Sequence, residues 1–207
     1  MITIMANIML LIGIAQITTR EDLLVILIPL GLFILLILWI AMMYNSLVRL
    51  RQQCREAWSN IDTELKRRYN LIPNLIETVK GYAAHEREVL LSVTEARNRA
   101  VASTGSPGSQ AKDENVLVAA LRQLFAVAEK YPNLKANENF LELQKQLAET
   151  EDRIQAARRF YNANVRELNT RIEVFPSNII AKLFNFQKEE FFEIEQTDIR
   201  STPKVRL

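Results

Sequence analysis

LLVILIPLGLFILLILWIAMMY, residues Leu23 to Tyr44, is a run of 22 residues without a charge, fifteen of them Leu, Ile, Val or Phe. Coiled as a helix it is ~33 Å long, enough to cross a hydrocarbon core of about 30 Å. At roughly −0.3 to −0.6 kcal/mol per central apolar residue, the insertion term is on the order of −5 to −9 kcal/mol, and nothing polar offsets it. Pro29 and Gly31 would weaken a helix in water, but spanning helices tolerate both where the freed backbone groups are satisfied locally. Trp39 and Tyr44 stand toward one end, where amphipathic rings favour the headgroup layer. A buried core helix of a soluble protein is the competing reading; the length and all-round apolarity of the run fit lipid better.

The flanks orient the span. After it come Arg49, Arg51, Arg55, Lys66, Arg67 and Arg68, whereas before it stands only Arg20, beside Glu21 and Asp22. The positive-inside rule therefore predicts that everything after Tyr44 is cytoplasmic, with Arg49 and Arg51 at the membrane interface. Residues Met1 to Thr19, MITIMANIMLLIGIAQITT, form a second uncharged stretch. It lacks the basic start of a secretory signal, so no cleavage is expected. A short second span, a segment lying along the outer interface and an extended start all remain open for it.

Composition narrows the rest. The 207 residues carry 26 Lys+Arg against 24 Asp+Glu, a net charge of +2, and a single Cys. That balance lacks the basic surplus that phosphate neutralisation requires, so no nucleic-acid partner is expected. One thiol allows neither an intrachain disulfide framework nor a thiolate zinc site. A lone Cys54 is compatible with a reducing compartment.

Beyond the span the pattern is helical. Leu47, Leu50, Cys54, Trp58, Ile61 and Leu65 recur at steps of three or four, a seam continuous with the membrane helix. Pro73 predicts a kink or a new helix. Leu75, Ile76, Val79, Tyr82, Val89, Leu90, Val93 and Ala100 continue the spacing, with Gly81 expected to permit close helix contact. Ser103 to Gln110, STGSPGSQ, reads as an exposed loop without the spacing of a phosphate cradle. A shorter helix carries Leu117, Leu121, Leu124, Phe125 and Ala128 and ends before Pro132. The longest soluble helix, Asn137 to Phe175, repeats from Phe140 through Tyr161 to Phe175 and would extend ~58 Å. Its other face, with Glu149, Asp152, Arg153, Arg159, Arg166 and Glu167, reads as solvated. Pro176 ends it, a short amphipathic piece follows, and the end EEFFEIEQTDIRSTPKVRL is either a docking strip or a disordered tail.

No run after Tyr44 alternates with period two, so the fold class is all-α: an amino-terminal transmembrane helix continuing into a long antiparallel helical bundle of coiled-coil type. The expected divisions are an apolar extension over 1–22, the span over 23–44, the bundle over 45–185 and a tail over 186–207.

Specific words then accumulate: AWSNID, LKRR, LIPNL, VKGYAAHE, YPNLKAN, RRFYN and FPSN, in this order after a span. Residues 44 to 193 closely resemble the LemA family. The resemblance implies a short amino-terminal piece, one spanning helix in the inner (cytoplasmic) membrane of a bacterium and a long antiparallel helical domain. It also implies a poorly defined role, one branch taking part in magnetosome formation. Two departures stand out: Met1 to Asp22 precedes the usual family start, and Cys54 replaces a more usual aliphatic residue, which favours reading it as a small core hydrophobe.

Catalytic patterns fail one by one. His85-Glu86 begins H-E-x-x-H, but Val89 stands where the second imidazole belongs, and His85 is the only His in the chain. With Tyr82 three residues before it, His85 offers no Glu-x-x-His unit for a di-iron bundle. Flanked by Lys80, Glu86, Arg87 and Glu88, it reads as solvated on a surface helix. No enzyme, cofactor or metal is expected. Asp62 is read as a surface acid paired with Lys66, or as a buried contact to Arg159 or Tyr161 that fixes bundle register. Basic Arg67 and Arg68 lie ~36 Å beyond the span on a straight helix, too far for lipid across a screening length of about 8 Å, so a partner or an intrachain acid is expected. Trp58, Asp62, Arg67, Arg68, Arg159 and Tyr161 are thus the structural or interaction candidates. Three functions compete: a membrane-anchored, homo-oligomeric scaffold; an accessory subunit that presents substrates to a membrane metalloprotease or serves envelope stress; and a membrane-shaping protein. The lipid bilayer is the partner common to all three.

Overall fold

The computed structural model describes residues 20–193, so Met1 to Thr19 and the last residues of the polar end, Ile194 included, lie outside the described residues. Six helices and no strand occur among the described residues: α1 (Arg20–Lys80), α2 (Arg87–Ala102), α3 (Pro107–Ala128), α4 (Pro132–Lys135), α5 (Glu138–Glu173) and α6 (Ser177–Leu183). The all-α class and the long amino-terminal helix match the sequence reading.

Helix α1 runs 61 residues without interruption, ~92 Å, from the apolar run into the bundle. Its large apolar side chains from Leu24 to Trp39 are exposed on every face. From Leu47 onward one stripe is buried: Leu47, Cys54, Ala57, Ile61, Leu65, Ile72 and Leu75. Of the two outcomes expected at Pro73, a kink or a new helix, the new helix does not occur: Pro73 lies inside α1. Pro73 has no N–H for the Tyr69 carbonyl four residues earlier. Arg97 of α2 supplies the missing donor through Nε at 2.8 Å. The helix therefore carries on to Lys80, where Gly81 begins a turn. A Cβ on Gly81 would meet only the Thr78 carbonyl, at 3.5 Å, so this glycine serves the turn rather than the expected close helix packing.

Helices α2 and α3 form an antiparallel hairpin. Pro107 sits at the start of α3, where its fixed φ suits a first turn, and this shortens the expected 103–110 loop. After the single turn α4, Asn137 caps α5 by accepting from the Phe140 N–H at 3.0 Å. α5 then runs back antiparallel to α1, its main packing partner, so that Asn137 meets Tyr82 near the start and Tyr161 meets Trp58 farther along. α6 folds back onto both α5 and α1. Phe175, placed on the α5 seam by its spacing, is 78% exposed, because the helix ends at Glu173 and the chain turns. Beyond α6 the chain is extended, and Phe186 and Phe192 are buried. The packed unit thus continues to residue 193, past the expected boundary at 185.

Candidate functional site

The junction between the apolar run and the bundle is aromatic. The Tyr44 ring meets Phe184 at 4.7 Å and Phe186 at 5.8 Å between centroids. Arg51 lies over the Phe186 ring at 5.0 Å, a cation–π contact that fixes a basic side chain about two turns beyond the apolar run. Trp39 and Arg49 are exposed, and Ile40, Met43 and Tyr44 are partly buried against the core. The core therefore begins within the last turns of the apolar run.

From Phe186 the chain runs as a strap along α5, antiparallel to it. Two asparagines on α5, seven residues apart, treat the strap as a neighbouring strand would. The Asn169 amide donates to the Glu189 carbonyl at 2.9 Å and accepts from the Glu189 N–H at 3.0 Å. Asn162 does the same with Phe192, at 3.1 and 3.0 Å. Tyr161 donates its hydroxyl to the Glu190 carbonyl at 2.8 Å. An extended segment lying along a helix has no ladder to satisfy its helix-facing peptide groups, and these side chains provide one. Phe192, fully buried, closes the arrangement by packing its ring edge to face against Trp58 at 5.2 Å, while Trp58 also meets Tyr161 at 5.3 Å. Glu190 reaches across to the α3 N-terminus, accepting from the Ser106 hydroxyl at 2.7 Å and the Gly108 N–H at 3.3 Å, where the helix dipole favours a carboxylate. A Cβ on Gly108 would fall 2.8 Å from that carboxylate oxygen, so a larger residue there would shift the Glu190 side chain. Burial, and secondarily Glu189, raises the Cys54 thiol to about 11, and burial likewise pushes the Tyr161 hydroxyl upward. Cys54 is accordingly a core hydrophobe and not a reactive thiolate.

A second cluster ties three helices together. Arg68 of α1 is 2% exposed. Its guanidinium donates to Glu114 of α3 and, at 2.9 Å, to Glu151 of α5. Tyr69 donates its hydroxyl to the other Glu114 oxygen, and burial followed by the Glu114 charge drives its pKa far upward. Arg68 Nε has no hydrogen-bond partner. Isolated charges inside a core are costly, so each member of this cluster depends on the others. Geometrically the cluster fixes the axial and rotational register of α1, α3 and α5. Its carboxylates are occupied by cation and hydroxyl, not set facing an open cleft.

Of the sequence candidates, Trp58 and Tyr161 come together, and Arg68 meets intrachain acids, one of the two alternatives expected for it. Asp62 pairs on the surface with Lys66 at 2.6 Å, the milder of its two readings. The proposed contact to Arg159 or Tyr161 is absent: Asp62 lies one residue past the buried stripe, Arg159 faces outward, and the Tyr161 hydroxyl serves the strap. Arg67 is exposed. His85 is exposed as expected, but in the turn after α1 and not on a helix. Glu114, Glu151, Asn162, Asn169 and Phe192 were not foreseen. Among the described residues no three His, Cys, Asp or Glu side chains cluster so as to hold a metal ion.

A family model described as the LemA family matches residues 57–207. The chain is 27% identical over 177 residues to magnetosome protein MamQ 2 of Paramagnetospirillum magneticum, covering 73% of this chain and 65% of that protein. To magnetosome protein MamQ of Magnetospirillum gryphiswaldense it is 26% identical over 176 residues, with the same coverage. To Protein LemA of Metamycoplasma hominis it is 29% identical over 161 residues, 75% of this chain and 72% of that protein. The chain thus spans just under two thirds of the length of the magnetosome relatives. The family match begins at Ala57, within α1 and beyond the apolar run.

Proposed function

Because this chain belongs to the LemA family, we propose that it is a membrane-anchored helical scaffold that self-assembles, carries no catalysis of its own and stands in the cytoplasm on the inner membrane. The observation that carries this reading is the unbroken course of α1 from an apolar span into the bundle core. A flexible linker would let a tethered domain reach partners at many angles. A continuous helix holds the bundle at a set angle and height, which is what an organising rod needs. Arg49, Arg51 and Arg55 directly after the span support the cytoplasmic side. The most elaborate polar groups, Arg68 with its two acids and the asparagine pair, hold helices and strap together, which supports a mechanical role over a chemical one. Relatives named as magnetosome proteins support work in assembly.

The test is the mass of the full chain extracted in mild detergent, paired with crosslinking in native membranes. Self-association in both is the expected outcome. A monomer in both refutes self-assembly. Stoichiometric recovery with a membrane protease in place of a second copy supports the accessory role instead.

A further inference from the structure

Helix α6 buries one face and leaves the other bare. Ser177, Ile180 and Ala181 point into the core, whereas Ile179 is 55% exposed, Leu183 71% and, just past the helix, Phe184 48%. An apolar face on so short a helix is out of place in water, and its position names the medium that covers it. From Leu24 to Tyr44 the helix rises ~30 Å, the thickness of the hydrocarbon core, so Tyr44 falls at the boundary. The Phe184 ring is 4.7 Å from the Tyr44 ring. The polar layer on each side of a bilayer is roughly 5–7 Å deep, so Phe184 stands within one layer depth of that boundary. Core packing that reaches back to Ile40 sets this end of the bundle against the same layer.

The geometry points to α6 as a second membrane contact: Ile179, Leu183 and Phe184 rest in the interfacial layer beside the end of the span. The partner is the lipid surface itself. Lys182, exposed between Ile179 and Leu183, and Arg49 on α1 supply cations at headgroup height. Glu173, the last residue of α5, is already paired with Lys188. A second copy of the chain cannot seat itself on this face as readily, because the bilayer on which the span depends occupies the space in front of it. The inference rests on the reading of Leu23 to Tyr44 as a span, and the experiment separates the two.

The full chain is placed in phosphatidylcholine–phosphatidylglycerol nanodiscs, with and without bromine on the lipid acyl chains. A single cysteine carrying an environment-sensitive fluorophore is introduced at Leu183, at Ile37 within the span, or at Glu149 on the outer face of α5. Cys54 is left in place, since it is buried, and labelling of the parent chain sets the background. Expected is strong quenching by bromolipid at Ile37, about half as much at Leu183 and none at Glu149. Quenching at Ile37 with none at Leu183 overturns the second contact and leaves the span intact. Absence of quenching at both positions removes the span and the contact together. Blue-shifted but unquenched emission at Leu183 assigns the face to protein and overturns the lipid contact.

Discussion

Replacing Arg68 by Met keeps most of the side-chain volume and removes the charge on which two acids depend. Glu114, 1% exposed, then keeps only the Tyr69 hydroxyl. Removing one partner of a buried ion pair costs about 3–5 kcal/mol, because the survivor remains desolvated. Glu151 adds little: its side chain is 36% exposed and can turn to water, as exposed pairs contribute at most about 1 kcal/mol. Against a total stability of roughly 5–15 kcal/mol, the loss is a large fraction. For a domain of this size it lowers Tm by on the order of 6–20 °C. The Arg68→Met, Glu114→Met double variant removes the orphan along with its cause and regains most of the loss, as apolar replacement of buried pairs does. Urea titration of the full chain in mild detergent, followed by far-UV circular dichroism, measures both losses. A loss below about 1 kcal/mol in Arg68→Met, or a double variant as unstable as the summed singles, would refute the coupling.

Three further outcomes follow from the strap and the thiol. Phe192→Ala empties the pocket beside Trp58 and costs about 3–5 kcal/mol; protease cleavage between Phe186 and Glu193 should appear before the helices unfold, and a strap that stays protected contradicts its anchoring role. Asn169→Leu strips the Glu189 peptide group of both partners, with a loss of about 1–3 kcal/mol, whereas Asn169→Gln recovers part of it; equal amide exchange at Glu189 in the parent and Leu variants would count against the asparagine clasp. The Cys54 thiol, raised to about 11 in the folded chain, favours the folded state fully below pH 9, and that contribution is lost as pH rises from about 9 toward 11. Alkaline unfolding should therefore be less steep in Cys54→Ala over that window, and identical slopes would remove the thiol from the account.

Helix periodicity made the architecture legible, because apolar residues at steps of three and four leave little else for a chain with an uncharged run of this length to form. The same ruler held the key to the polar cluster. Arg68 falls between Leu65 and Ile72, and Glu114 between Ala111 and Leu117, both in phase with the buried stripe. A charge in phase with a seam must meet its opposite there, and that criterion separates Arg68 from Asp62, which sits one residue off phase. Which acid Arg68 meets was not legible, since pairing across more than forty residues depends on how the α2–α3 hairpin docks. At Pro73 the pattern left a kink and a new helix both open for a related reason: the outcome depends on Arg97, a distant side chain that caps the stranded carbonyl. The strap was hidden because extended chain held by side-chain amides has neither period; only the seven-residue spacing of Asn162 and Asn169 marks it, and it carries meaning once the strap is seen.

On the proposed reading of Leu23 to Tyr44 as a span, the continuity of α1 makes the length of that span and the facing of the bundle a single variable. Each residue in an α-helix advances the axis by about 1.5 Å and turns it by about 100°. One residue inserted after Trp39, ahead of the packed turns, would swing the whole bundle by more than a quarter circle around the membrane normal and point α6 away from its present side. Seven residues would nearly restore the facing while lifting the bundle by about 10 Å. Membrane thickness, which shifts where a helix settles in the bilayer, is thereby geared to the height of every surface that the rod presents.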